Sequence, residues 1–155
     1  MPFDQLPVSD EWTFKNVKST EQWTHGYHRY PAKFLPNIVK KIIEDYTIEG
    51  DKIADLFAGC GTTLVESKIH GRKSVGVDIN PVAQLIASVK TNPIKPEILK
   101  HVFSEINEKI KLFVKEDFIN IIKHERIDYW FFPENKYKIA FLYKMISELD
   151  EKNAI

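Results

Sequence analysis

The chain has 155 residues, of which 43% are hydrophobic and 28% charged, a composition typical of a single folded domain. Its 22 basic and 22 acidic residues balance, so it lacks the basic excess of proteins that grip nucleic acid alone. One cysteine, Cys60, excludes a disulfide framework and a thiolate zinc site. Because the N-terminus has no leader-like pattern and no apolar run reaches about 18 residues, a cytoplasmic protein with no membrane partner is predicted.

Residues 1–23 are predicted to form an extended N-terminal arm. They show no sustained hydrophobic period and contain two early prolines. Trp12, Phe14 and Trp23 are expected to pack this arm onto the body of the protein, with base stacking as the alternative role.

Segment 24–36, Thr-His-Gly-Tyr-His-Arg-Tyr-Pro-Ala-Lys-Phe-Leu-Pro, gathers cationic and hydrogen-bonding groups ahead of a predicted helix. Pro36 suits the first turn of that helix. Its buried face is expected to carry Ile38, Val39, Ile42 and Ile43. His25 and His28 are three residues apart, but no third ligand lies nearby in the sequence, so no metal site is predicted.

A strand, a glycine loop and a helix are predicted next. The apolar run 52–57 is typical of a buried strand and leads into Ala58-Gly59-Cys60-Gly61. The two glycines permit positive φ and a close approach of a ligand to the backbone. The following helix would offer that ligand its free N–H groups and the positive end of its dipole.

A second strand, 73–77, ends at Asp78, about twenty residues beyond the loop, where a carboxylate can bind both hydroxyls of a ribose. Thr62-Thr63 stands where the dinucleotide fingerprint has its third glycine. The loop therefore suits one nucleoside with a charged amino-acid arm better than a pyrophosphate. S-Adenosylmethionine is the cofactor that this pattern predicts.

The remaining residues are predicted to be mainly helical. Asn80 and Pro81 are a suitable N-cap and first residue for a helix that ends near Asn92. Its buried side is expected to contain Ala83, Leu85, Ile86 and Val89. A helical stripe spans 97–123, an aromatic turn follows at 128–133, and a last helix is expected over 136–151. That helix is expected to turn Ile139, Leu142, Tyr143 and Ile146 inward.

Four stretches resemble the amino-group DNA methyltransferases, which methylate cytosine N4 or adenine N6. Residues 55–66 (Asp-Leu-Phe-Ala-Gly-Cys-Gly-Thr-Thr-Leu-Val-Glu) and 76–81 (Gly-Val-Asp-Ile-Asn-Pro) look like motifs I and II. Residues 28–34 (His-Arg-Tyr-Pro-Ala-Lys-Phe) resemble motif X, which precedes motif I in this family. Residues 129–134 (Tyr-Trp-Phe-Phe-Pro-Glu) are similar to a segment that follows motif II.

The resemblance implies an α/β protein with a partial Rossmann-like methyltransferase fold, in which a few parallel strands alternate with helices and a helical segment forms the C-terminal part. It divides the chain into the arm at 1–23, an S-adenosylmethionine-binding subdomain at 24–95 and a helical segment at 96–155. It also implies a function in DNA methylation, as in restriction–modification systems.

The resemblance further implies a cofactor site in which motif X lines the methionine end and Lys33 pairs with its carboxylate. The implied cofactor-binding residues are Ala32, Lys33, Phe34, Asp55, Phe57, Ala58, Gly59, Gly61, Thr62, Thr63, Asp78, Ile79 and Asn80. No catalytic residue and no metal ligand is predicted.

The catalytic tetrapeptide of the family, Asp/Asn/Ser-Pro-Pro-Tyr/Phe, is missing from the 155 residues. In relatives it accepts hydrogen bonds from the target amine and stacks on the flipped base. We therefore expect no methyl transfer by this chain alone. The expected partner is a second polypeptide with the Ser/Asp-Pro-Pro-Tyr half, and DNA would be contacted through the complex. Self-association that covers an open strand edge is the alternative.

Three questions about function stay open at this point. The Thr-Thr pair and the Pro-Ala-Lys-Phe segment favour cytosine N4 over adenine N6 as the target. One alternative is a stand-alone S-adenosylmethionine-binding or interaction protein that self-associates. Another is an RNA or small-molecule methyltransferase that uses His25, His28 or Glu66 as a base.

Overall fold

The computed structural model describes residues 12–17, 21–114 and 126–149, and the chain divides into two compact units, Met1–Pro93 and Ile94–Ile155. The first unit contains a 3₁₀ turn (Trp23–Gly26), α1 (Pro36–Tyr46), β1 (Lys52–Asp55), α2 (Thr62–Ile69), β2 (Lys73–Gly76) and α3 (Pro81–Thr91). The second contains α4 (Pro96–Ile110), α5 (Ile127–Trp130) and α6 (Pro133–Leu149). No helix in the described part of the chain is long and apolar enough to cross a bilayer.

The two strands form a parallel pair joined through α2, which makes a βαβ unit. Lys52 pairs with Lys73 at one end and Asp55 with Gly76 at the other. The predicted α/β class is thus confirmed, in the form of a partial Rossmann-like fold with a small parallel sheet. Both strands end one or two residues before the predicted limits, because the chain turns into the loops that follow them.

One face of this sheet is covered and the other is exposed. Helix α2 contacts both strands on one side. On the other side the paired residues Ala54 and Val75 are exposed, as are Leu56 and Val77 just beyond them, and Leu56 has 68% of its surface accessible. Parallel sheets are normally buried on both faces. Within the first unit, no described residue covers this apolar face, and neither strand has a further strand at its outer edge.

Helix α3 begins as predicted, and of its predicted buried side Ala83 is buried, but two other predicted residues are not. The Asn80 side chain accepts a hydrogen bond from the Val82 N–H at 2.9 Å, and Pro81 occupies the first turn. The buried residues are Ala83, Ala87 and Lys90, whereas the predicted Leu85 and Val89 are exposed. The cause is the close approach of α2, since a Cβ on Gly61 would lie 2.8 Å from the Ala87 Cβ. Only a small residue fits at position 87 in such a contact.

Helix α1 packs on α2 through Val39 and Ile43, which are buried as predicted. Ile42 is exposed instead, because the contact is narrower than the apolar stripe. At the C-terminal end of α1, Arg72 donates hydrogen bonds to the side chain and the carbonyl of Thr47, at 3.0 and 2.7 Å. These bonds connect the helix to the turn that precedes β2.

The N-terminal aromatic residues are only partly packed. The rings of Trp12 and Phe14 meet edge to face with centroids 6.4 Å apart, and the Lys41 Nζ lies 5.2 Å from the Trp12 ring centroid. Trp23 is 71% exposed, so the expectation that it packs onto the body is wrong. The other parts of the predicted arm, 1–11 and 18–20, lie outside the described residues.

The second unit has a small core centred on α6. Ala140, Phe141 and Met145 are buried, with Phe113 and Tyr137 packed against them. The predicted inward residues Leu142, Tyr143 and Ile146 are exposed, and Ile139 is partly buried. The edge-to-face contact between Phe113 and Phe141, with centroids 5.4 Å apart, selects the neighbouring face of the helix instead.

Two further features of the second unit concern its predicted elements. Residues 115–123 of the predicted helical stripe lie outside the described residues. The aromatic turn contains the short helix α5, and α6 begins at Pro133 rather than at 136, because proline suits a first turn. Lys136 donates a 2.6 Å hydrogen bond to the Asp128 Oδ1, and this bond raises the pKa of Lys136 above its ordinary value.

Candidate cofactor site

The loop between β1 and α2 turns on two glycines with positive φ. Gly59 has φ +50° and Gly61 has φ +81°. Gly61 is the N-cap of α2, and its carbonyl accepts from the Val65 N–H at 3.0 Å. A Cβ on Gly59 would meet only the Tyr30 ring within 4 Å, at 3.7 Å. A Cβ at Gly59 would therefore make an ordinary van der Waals contact with Tyr30, and the positive φ is what favours glycine at this position.

Asp78 joins this loop to the end of β2. Its Oδ2 accepts a hydrogen bond from the Gly59 N–H and its Oδ1 one from the Asn80 N–H, both at 2.8 Å. A carboxylate offers about four lone-pair sites, so two remain for other donors. The structure thus gives Asp78 a role in holding the loop as well as free capacity for a hydroxyl-bearing ligand.

Two loops meet around a small cavity of about 50 Å³. The loop before α1 contributes Tyr30, Ala32, Lys33 and Phe34. The end of β1 and the glycine loop contribute Asp55, Phe57, Ala58, Gly59, Cys60, Thr62 and Thr63. Most of the residues singled out in the sequence are therefore brought together, although they come from segments more than twenty residues apart.

The other residues singled out lie around this cavity without lining it. Gly61 is buried beneath the loop as the α2 N-cap, and Asn80 caps α3. Ile79 is 99% exposed, next to Asp78. A larger cavity of about 390 Å³ has Asp78, Ala58 and Gly59 in its wall, so the two cavities share the glycine loop.

Two residues of the small cavity, Tyr30 and Cys60, were missed as site residues from the sequence. Both lie inside the motif-like stretches, Tyr30 directly before Pro31 and Cys60 between the two glycines. Position within a stretch was the signal that could have identified them. Cys60 is buried and belongs to the part of the glycine loop that lines the cavity.

The small cavity has charges of both signs in its wall. Lys33 lies on one loop and Asp55 at the end of β1. The Lys33 Nζ donates to the His25 carbonyl at 3.3 Å, and the Asp55 Oδ1 accepts from the Phe57 N–H at 3.0 Å. Each charged group keeps further hydrogen-bonding capacity. A ligand with one carboxylate and one ammonium group matches this arrangement.

A polar cluster of His25, Glu66 and His70 lines a separate cavity of about 310 Å³. His25 is 2% exposed, and its Nε2 is 2.7 Å from the Glu66 Oε1. The other Glu66 oxygen is 3.4 Å from the His70 Nε2. His28, by contrast, is exposed. Within the part of the chain that the structure describes, no three histidine, cysteine or acidic side chains are grouped so as to hold a metal ion.

Comparison with known proteins finds a family match over the region that contains the candidate site. A family model described as DNA methylase matches residues 4–89. The chain is 34% identical to the type II methyltransferase M.MvaI of Kocuria varians over 142 residues, which cover 86% of this chain and 31% of that protein.

Two more type II methyltransferases match over shorter stretches. M.MjaII of Methanocaldococcus jannaschii is 38% identical over 98 residues, covering 63% of this chain and 18% of that protein. M.BamHI of Bacillus amyloliquefaciens is 28% identical over 112 residues, covering 72% and 26%. The chain thus spans about a third or less of the length of these relatives.

No solved structure gives a significant match to the chain. The family model, however, matches more than half of it, and this match includes the glycine loop, Asp78 and the loop before α1. The resemblance seen in the sequence motifs is therefore confirmed: the chain belongs to the DNA methylase family of amino-group methyltransferases.

Proposed function

We propose that this chain is the S-adenosylmethionine-binding part of a DNA amino-methyltransferase whose catalytic tetrapeptide is supplied by a second polypeptide. The observation that supports binding of S-adenosylmethionine is the small cavity at the glycine loop, which has Lys33 and Asp55 in its wall. S-Adenosylmethionine ends in an amino-acid group and carries its reactive methyl on a sulfonium. A wall with one cation and one anion matches that zwitterionic end.

In this proposal each residue of the site contacts a different group of the cofactor. Lys33 pairs with the ligand carboxylate and Asp55 with its ammonium group. Asp78 uses its remaining lone pairs for the ribose hydroxyls while it continues to hold Gly59. The exposed side chain of Ile79 offers an apolar surface for the adenine ring. Gly59 lies in the wall of both cavities, so its backbone is placed to contact the ligand closely.

The Lys33→Met variant is expected to bind S-adenosylmethionine about 10- to 100-fold more weakly than the wild type, because a hydrogen bond between charged groups contributes about 1.5–3 kcal/mol. Isothermal titration calorimetry measures this change. Lys33 gives a cleaner test than Asp78, since the Asp78 carboxylate also holds the loop. The matched control is Lys73→Met. It removes an exposed lysine at the start of β2, the end of the strand away from Asp78. Equal affinity of Lys33→Met and wild type would contradict the carboxylate contact.

A structural observation supports a second polypeptide. The sheet exposes the apolar residues Leu56, Val75 and Val77 on one face, and among the described residues the outer edge of β1 has no neighbouring strand. Open edges and apolar faces of this kind are pairing sites. A polypeptide that contributes further strands and the tetrapeptide would cover the surface and complete the active site.

The purified chain is expected to transfer no methyl group to DNA, and addition of the second polypeptide is expected to restore transfer. The partner is isolated by affinity capture of the tagged chain and must contain Ser- or Asp-Pro-Pro-Tyr. Transfer is then followed with labelled cofactor. The matched control is the same partner with alanine in place of its motif tyrosine, which removes base stacking. Nucleoside analysis of the product tests the target, for which we propose cytosine N4 rather than adenine N6.

Methyl transfer by the chain alone would contradict this division of labour. Recovery of the chain as a stable homo-oligomer, measured by light scattering, would instead favour the self-associating binder, since the same exposed sheet face supports both arrangements. An RNA or small-molecule methyltransferase has less support. Two of its candidate bases, His25 and Glu66, are hydrogen-bonded to each other and line a separate cavity of about 310 Å³ rather than the small cavity of the glycine loop.

A further inference from the structure

His25 makes three hydrogen bonds that connect different parts of the first unit. Its side chain contacts the Glu66 Oε1 of α2 at 2.7 Å in a buried setting. Its carbonyl accepts from the Lys33 Nζ at 3.3 Å. Its N–H donates to the Gln22 carbonyl at 3.2 Å. The residue thus links α2 to the loop that carries Lys33.

Glu66 lies on the same side of α2 as the cavity wall. Thr62 and Thr63, which line the cavity, precede it by four and three residues. Residues at these spacings are neighbours on one helix face. Along α2, Glu66 therefore lies about one helical turn from the cavity wall. Its contact with His25 joins α2 to the 3₁₀ turn, whose His25 carbonyl in turn accepts from Lys33 of the cavity loop.

The loop in that wall has a backbone conformation that needs support. Ala32, next to Lys33, has φ +56°, which disfavours any residue with a Cβ. Such a conformation persists only where surrounding contacts determine it. The hydrogen bond from the Lys33 Nζ to the His25 carbonyl connects this loop to the 3₁₀ turn that precedes it. It occupies one of the three lysine donors and leaves two for a ligand.

We propose that the His25–Glu66 hydrogen bond positions Lys33 for the carboxylate of the cofactor. Glu66 fixes the imidazole, the imidazole fixes the backbone of the 3₁₀ turn, and the turn presents its carbonyl to the lysine. His25 and Glu66 are then positioning residues that act through Lys33. The inference rests on the proposed function in one respect, the assignment of Lys33 as the carboxylate partner.

A double-mutant cycle with S-adenosylmethionine as the probe tests this relation. His25→Leu, which keeps a similar side-chain volume, is expected to weaken binding about tenfold, as expected for loss of one well-placed hydrogen bond. In the Lys33→Met background the same change is expected to have no further effect beyond about twofold. His25→Gln, which keeps a donor for Glu66, is expected to retain wild-type affinity. Where His25→Leu does not fold, Glu66→Met removes the same bond from the other side.

Effects of His25→Leu and Lys33→Met that multiply would overturn the inference, because they would mean that His25 acts by general loosening of the protein. Loss of affinity in His25→Gln equal to that in His25→Leu would overturn it as well. If Lys33→Met alone leaves the affinity unchanged, the proposed carboxylate contact fails, and the inference fails with it.

If the wild type binds no S-adenosylmethionine, a measurement without ligand still tests whether His25 positions Lys33. It does so independently of whether Lys33 contacts the carboxylate of the cofactor. The rate at which acetic anhydride acetylates Lys33, followed by mass spectrometry, reports on how firmly its amine is held. We expect this rate to rise several-fold in His25→Leu but not in His25→Gln, with Lys73 as the internal reference. Equal acetylation of Lys33 in wild type and His25→Leu would overturn the positioning role, whatever the protein binds.

Discussion

Replacing Gly61 with alanine is expected to lower the free energy of unfolding by about 3 kcal/mol, the sum of a backbone and a packing effect. At φ +81° an alanine is strained whatever space surrounds it. The new Cβ would also lie 2.8 Å from the Ala87 Cβ and 3.0 Å from its Cα, so α3 would have to move. Urea denaturation followed by circular dichroism measures the change.

Gly50→Ala is the matched control, because Gly50 has a similar φ of +90° but no atom within 4 Å of a built Cβ. Only the backbone effect of about 1–2 kcal/mol is expected there. The difference between the two variants isolates the contact between α2 and α3. Equal losses in the two variants would mean that the helices separate at little cost, and that the close approach does not determine how α3 is buried.

The glycine loop was predictable because local chemistry dictates it. Gly59 and Gly61 adopt the positive φ for which glycine is suited, and Asn80 caps α3 with its side chain. Two strands at the predicted places follow from the apolar runs between these signals. In each of these cases the residue type determines the backbone conformation without reference to distant parts of the chain.

The buried faces of the helices were less predictable, because a hydrophobic period does not reveal what covers it. Leu85 and Val89 share the period of α3 and are exposed, while Ala87 is buried against α2. In α6, Phe141 is buried by its ring contact with Phe113, whereas Ile146 is exposed. The contacts that decide these faces involve residues far apart in the sequence.

In the candidate site, too, some features follow from local sequence and others depend on contacts between residues far apart in the chain. The grouping of Lys33 with Asp55 around one cavity was implied by resemblance to a family and by no local pattern, since the two segments are separated by α1. The contact of Asp78 with the Gly59 N–H and the pairing of His25 with Glu66 are tertiary contacts without a sequence signature. A histidine and a glutamate 41 positions apart look like two solvated residues until the fold buries them together.

Replacing Glu66 with alanine is expected to lower the free energy of unfolding by about 3–4 kcal/mol, because removing one partner of a buried polar pair leaves the other unsatisfied. The His25 Nε2 would lose its acceptor in a site where His25 is 2% exposed. The contact to His70 would also be lost. Glu66→Gln keeps a carbonyl oxygen for His25, and a smaller loss of about 1 kcal/mol is expected. Urea denaturation measures both.

The control for local helix effects is Ser67→Ala, the adjacent residue on α2. Ser67 is fully buried, and its hydroxyl donates to the Thr63 carbonyl within the same helix at 2.7 Å. Its removal is expected to cost about 1 kcal/mol, because no group in another element loses a partner. A Glu66→Ala loss no larger than the Ser67→Ala loss would mean that the pair with His25 adds no stability. The excess that we expect measures how strongly α2 is joined to the turn before the Lys33 loop, which is the junction that we propose positions Lys33.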